Sequence, residues 1–150
     1  MKYFTFLLLP LAAITFSCTQ INKNMPKEII STEKAPSAIG PYSQAVLAGN
    51  TLYCSGQIAI NPATGELNTA SIETETNQVM QNVGEVLKAA GMDYGNVVKV
   101  TIFMKDMNQY AAINAVYAEY FTNEPPAREA VEVARLPKDV NVEISVTAVK

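Results

Sequence analysis

Arginine, carboxylates, hydroxyls, tyrosine and backbone groups are all this 150-residue chain has for chemistry, because it contains no histidine and only two cysteines, Cys18 and Cys54. Without imidazole there is no Ser-His-Asp or Cys-His nucleophile, no histidine acid–base pair, and no ligand set for most zinc or iron sites. Two cysteines cannot make a metal cluster by themselves, so no metal is expected. Charge excludes a further class. The 11 Lys and Arg stand against 14 Asp and Glu, with no basic run, so a polyanion has no electrostatic footprint to bind and no nucleic-acid partner is expected.

Those groups need elements to position them, and from Tyr42 onward the pattern alternates clearly. Residues 44–47 and 51–54 are short strand-like runs, joined by Gly49-Asn50, a pair suited to a tight hairpin. A turn cluster at Asn61-Pro62-Ala63-Thr64-Gly65 follows. Over 71–90, Val79, Met80, Val83, Val86, Leu87 and Ala90 recur at three- and four-residue spacing and predict a helix. Glu73 and Glu75 lie at its dipole-favoured start and Gly91 ends it.

Residues 97–104 read as a strand with Val98, Val100, Ile102 and Met104 on one face. Asp106 or Asn108 can cap a second helix over 109–121, with Ile113, Val116, Tyr117 and Tyr120 inward, and Pro125-Pro126 forbids its continuation. Strands over 130–134 and 141–149 close the chain. In the last, Val142, Ile144, Val146 and Ala148 alternate with Glu143, Ser145 and Thr147. The order β-β-α-β-α-β-β predicts a single α+β domain, a mixed sheet with two helices on one face. The helix-free face, carrying Glu143, must be solvated or buried in an oligomer.

The first segment, MKYFTFLLLPLAAITFSC, has one positive charge at Lys2 and then a charge-free, mostly apolar stretch over residues 3–16. That is short for a membrane span, which needs about 20 apolar residues, and suits a signal peptide. Its end at Ser17-Cys18 resembles a bacterial lipobox, which makes residues 1–17 a signal peptide and Cys18 a lipidated N-terminus. The protein would then sit in the envelope on the periplasmic side, touching the membrane only through that anchor. An ordinary cleaved signal with Cys18 incidental is one alternative. A start at Met25, giving a cytoplasmic protein, is another. Residues 18–31 are mostly polar and read as a tether to a domain over 32–150.

Four segments carry a family resemblance. They are Ile39-Gly40-Pro41-Tyr42-Ser43-Gln44; Ser55-Gly56-Gln57-Ile58 with Asn61-Pro62 and Thr64-Gly65-Glu66; Ile113-Asn114-Ala115-Val116-Tyr117; and Pro126-Ala127-Arg128 running into Val131-Glu132-Val133-Ala134-Arg135-Leu136-Pro137. Together, in order, they resemble the Rid (YjgF-type, RidA-like) family over roughly residues 32–149. That resemblance implies a chorismate-mutase-like fold and a homotrimer with sheets facing inward and active sites at subunit interfaces. It also implies hydrolysis of 2-aminoacrylate, 2-iminopropanoate and 2-iminobutanoate to 2-keto acids and ammonia, without a cofactor.

By the same resemblance, Arg128 clamps the substrate carboxylate, a task for which a guanidinium offers paired donors. Glu143 positions the attacking water, so that proximity supplies most of the catalysis. On the residues alone, the first reads as a loop arginine and the second as a solvated strand carboxylate. Tyr42 matches a pocket tyrosine, and Ser55-Gly56 the pocket floor, where glycine lets backbone approach a ligand. Asn114 matches a position near the site, against the alternative of local bonding within its helix. Two features depart from the family: Ala130 stands where many relatives have cysteine, and the loop over 122–126 is shorter than in some. Cys54 reads as a small buried hydrophobe. The competing function is a non-catalytic envelope protein that binds small carboxylates in the same trimer-interface pocket.

Overall fold

The computed structural model describes residues 26–150. The expected signal peptide, Cys18 and most of the tether lie outside the described residues. Eight elements follow in chain order: β1 (Lys27–Ile30), β2 (Ala45–Ala48), β3 (Thr51–Gln57), α1 (Ile72–Ala89), β4 (Val97–Met104), α2 (Tyr110–Tyr120), β5 (Ala127–Glu132) and β6 (Val142–Val149). The strands form one sheet in the order β1-β2-β3-β6-β4-β5. All neighbours are antiparallel except β4 and β5, which run parallel.

Local chemistry accounts for most of these boundaries. Gly49, at φ 63°, makes the β2–β3 turn. The side chain of Ser71 caps α1 by accepting from the Thr74 amide at 3.2 Å, and Gly91, at φ 69°, lets the chain leave the helix. Val79, Met80, Val83, Val86 and Leu87 of α1 and Ile113 and Tyr117 of α2 pack on Val100, Ile102 and Met104 of β4 and on Val142, Ile144, Val146 and Ala148 of β6. Both helices therefore cover one face, as the periodicities predict. No described helix is long and apolar enough to cross a membrane.

The structure corrects the sequence reading in four places. Lys27–Ile30, expected to belong to the tether, pair with β2 as an edge strand, so the sheet has six strands among the described residues rather than five. A register shift between Val97 and Lys99 turns Val98 outward, 49% exposed, and gives its core place to Val97. Asp106 caps a short 3-10 turn at Met107–Gln109 instead of α2, which has no side-chain cap. Finally, β5 begins at Ala127, so Arg128 lies within a strand paired to Val100.

Glu75 has a role that the sequence did not suggest. It is fully buried at the start of α1, and its carboxylate accepts the Asn141 amide (2.6 Å), the Asn141 side-chain amide (2.7 Å) and the Val142 amide (3.3 Å). These bonds fasten the helix to the chain just before Glu143. Cys54 is buried as expected. Burial pushes its thiol up to about 12, which leaves it unreactive.

Candidate active site

The expected site residues fall into two clefts. The first, about 310 Å³, is lined by Ile39, Tyr42, Ser55, Gly56, Ile58, Pro137 and Glu143. Gln44 lies behind this lining and anchors the loop ahead of Tyr42: its buried amide donates to the carbonyls of Thr32, Ala35 and Pro36 and accepts the Thr32 amide. The Tyr42 hydroxyl accepts the Ile39 amide at 3.2 Å. Ser55 donates its hydroxyl to the Ser43 carbonyl at 2.7 Å, joining the loop to β3. Opposite, Asn82 donates to the carbonyls of Ile58 and Ile60, both at 2.9 Å, and holds Ile58 in the lining.

Glu143 reaches this cleft over a residue that must be small. A Cβ on Gly56 would lie 1.8 Å from Glu143 Oε1. The carboxylate is half-buried, and burial pushes its pKa above the usual glutamate range. Among the described residues it has no ion-pair partner. A carboxylate that is desolvated and uncompensated is suited to taking a proton or holding a water.

The second cleft, about 460 Å³, is lined by Asn114, Tyr117, Ala118, Phe121, Pro125, Pro126 and Arg128. Here α2 fixes the guanidinium of Arg128 from three directions. Nη1 donates to Asn114 Oδ1 at 2.7 Å and Nη2 donates to the Tyr110 hydroxyl at 2.8 Å. Its central carbon lies 4.7 Å from the Tyr117 ring centroid, a cation–π contact. Asn114 therefore bonds outward to Arg128 rather than locally within its helix. The Tyr117 hydroxyl is buried without a partner, and desolvation raises its pKa while the Arg128 charge lowers it.

The two clefts open on opposite faces of the sheet. Arg128 pairs with Val100, a core residue, and so points to the helix side. Glu143 pairs with Phe103 and alternates with the core residues Val142 and Ile144, which puts it on the helix-free side. Tyr42, Ser55, Gly56 and Glu143 come together in one cleft, and Asn114 and Arg128 in the other. A single copy does not unite them.

Several contributors escaped the sequence reading. Tyr110 and Tyr117 flank the expected Asn114 at four- and three-residue spacing on one face of α2, a pattern visible in the sequence. Tyr117 was expected inward only as core, and Tyr110 carried no signal until its partner Arg128 was placed. Ile39 and Ile58 lie inside the family-like segments, and only the fold shows that they line the first cleft.

Comparison with known proteins bears on this arrangement. The family model described as Endoribonuclease L-PSP matches residues 32–150. A RutC family protein of Pyrococcus horikoshii is 55% identical over 124 residues, 83% of this chain and 98% of that protein. The human 2-iminobutanoate/2-iminopropanoate deaminase is 48% identical over 124 residues, 83% of this chain and 90% of the human one. Among solved structures, E. coli TdcF with bound serine superposes with a TM-score of 0.79 at 43% identity, covering 82% of this chain and 98% of TdcF. With its fold, its motifs and these relatives in agreement, the chain belongs to the endoribonuclease L-PSP, or Rid, family.

Proposed function

We propose that the protein is a 2-imino acid deaminase whose active site is assembled between two copies in a homotrimer. The Arg128 cleft of one copy closes on the Glu143 cleft of its neighbour. The observation that carries this reading is that the two halves of a complete site face opposite sides of one sheet. One half is a guanidinium fixed by Asn114 and Tyr110 with N–H groups to spare, and the other is a desolvated carboxylate over Gly56. The relatives named as deaminases and the serine bound by TdcF support a small carboxylate-bearing ligand. The helix-free face shows Ile29, Tyr53 and Val131 well exposed, apolar surface that suits burial against another copy.

In this site Arg128 binds the substrate carboxylate through paired N–H donors and sets the imine carbon facing Glu143. Glu143 holds a water and accepts one of its protons as oxygen attacks that carbon. That proton passes to nitrogen to give a carbinolamine. Its hydroxyl proton then moves to nitrogen by way of Glu143 as the C=O bond forms and the C–N bond breaks, and 2-keto acid and ammonia leave. The C=N carbon is already electrophilic, so alignment accounts for most of the acceleration. No metal or cofactor has a place in this scheme. RNA cleavage draws no support from the chain, which lacks histidine and carries more acidic than basic residues. The N-terminal segment ending at Cys18 supports an exported, lipid-anchored form of the enzyme, and the mass of the mature N-terminus tests that.

The test of function is a coupled assay. An amino-acid oxidase generates 2-iminobutanoate in situ, and 2-oxobutanoate formation is followed with and without the protein. Acceleration that disappears in Arg128→Ala is expected. A well-folded trimer that gives no acceleration would make the protein a carboxylate-binding relative instead.

A further inference from the structure

The geometry around Arg128 points to Tyr110 as a second donor in the carboxylate clamp, an inference that rests on the proposed use of Arg128 as that clamp. A guanidinium has five N–H groups. Asn114 Oδ1 takes one from Nη1 and the Tyr110 hydroxyl takes one from Nη2, so three remain for a ligand. The Tyr110 oxygen engages Arg128 through a lone pair, because arginine can only donate. Its own hydrogen is therefore not used in that bond, and among the described residues no acceptor takes it.

Two further features direct that hydrogen to a ligand. Tyr110 is 39% exposed and the bond between its hydroxyl and Arg128 is itself exposed, where a clamped anion would displace solvent. Accepting from a cation also polarises the O–H bond and makes it a stronger donor. An anion held by the free N–H groups of Arg128 would sit beside a donor that the arginine itself has oriented. The ring contributes as well, with the guanidinium carbon 5.7 Å from its centroid. Tyr110 thus binds the substrate carboxylate directly, and its hydroxyl favours a carboxylate over a neutral group of the same shape.

Tyr110→Phe removes the hydroxyl and leaves the ring. The probe is 2-oxobutanoate, titrated calorimetrically into the full-length protein, with 2-oxobutanamide as the neutral counterpart. Hydrogen bonds to charged groups predict a weakening for 2-oxobutanoate of about tenfold or more, with amide binding unchanged. In turnover the variant should show a raised KM and little change in kcat. The inference is overturned if Tyr110→Phe binds 2-oxobutanoate within about twofold of wild type, if the amide weakens equally, or if wild type fails to bind the keto acid. Because binding is read without chemistry, a Tyr110 effect in a protein that turns over no imine would refute the deaminase reading and leave this inference standing.

Discussion

Replacing Gly56 with alanine tests the geometry of the catalytic carboxylate more sharply than replacing the carboxylate itself. The new Cβ would lie 1.8 Å from Glu143 Oε1, 2.7 Å from its carboxyl carbon and 2.9 Å from its Cγ. A normal contact of about 3.5 Å requires the carboxylate to retreat by at least about 1.5 Å. The obstructing atoms are the far end of one flexible side chain, so the fold can adapt by turning that side chain. An off-rotamer side chain costs about 0.5–1.5 kcal/mol, which lowers Tm by only a few degrees. A misplacement of about 1 Å at a reacting group, in contrast, costs on the order of a hundredfold in rate. Gly56→Ala should therefore lose about two orders of magnitude in kcat while remaining a folded oligomer. The assay is the oxidase-coupled measurement of 2-oxobutanoate, with thermal unfolding and calorimetric titration on the same preparations. A folded Gly56→Ala with wild-type kcat would show that the position of Glu143 does not set the rate, and the water-positioning role would fall.

Other perturbations address the remaining parts of the account. Arg128→Ala should abolish deamination and keto-acid binding while leaving the oligomer intact, as read by turnover, calorimetry and size-exclusion chromatography. Burial favours the neutral form of Glu143, so turnover that needs its carboxylate should fall as pH drops through a value above the usual glutamate range, and Glu143→Gln should remove that dependence along with most of kcat. The sign for stability is opposite: the contribution of the neutral carboxyl is present at low pH and is lost as pH rises through the raised pKa. If Arg128 of one copy faces Glu143 of the next, Arg128→Ala should raise the Glu143 pKa further, which carboxyl-carbon NMR would detect. Glu75→Ala strands the buried amides of Asn141 and Val142 and should cost about 2–5 kcal/mol. Glu75→Gln keeps an acceptor and should cost less, as denaturant unfolding would show.

Much of this architecture can be read from the sequence where period and core agree. The stripe from Val79 to Leu87 fixes α1, and the alternation of β6 fixes the face on which Glu143 lies. The reading fails where tertiary pairing overrides local pattern. β1 begins with exposed Lys27 and Glu28, and of its four residues only Ile30 is buried, so nothing alternates. At Val98 the period-2 pattern is real in the sequence and is broken by a bulge that only pairing with β6 creates. β5 starts with Ala127-Arg128-Glu129, residues with little strand preference, held there by parallel pairing to β4.

The site divides in the same way. Motif resemblance brought Tyr42, Ser55, Gly56, Asn114, Arg128 and Glu143 to attention, and the fold sorts them into two clefts. Which cleft each residue belongs to depends on β5 running parallel to β4 with Arg128 opposite Val100, a register no local pattern encodes. Glu75 is the extreme case. As a first-turn carboxylate it satisfies the helix dipole in sequence, whereas its burial and its bonds to Asn141, 66 residues away, belong to the packed structure.

A mixed-trimer experiment tests the shared site most directly. Arg128→Ala and Glu143→Gln proteins, each inactive alone, are unfolded, mixed in equal amounts and refolded together. If each site takes its arginine from one copy and its glutamate from the next, every mixed trimer contains one intact site, and random assembly restores about a quarter of wild-type activity. A mixture of verified heterotrimers that stays as inactive as its parents would contradict an active site built between copies.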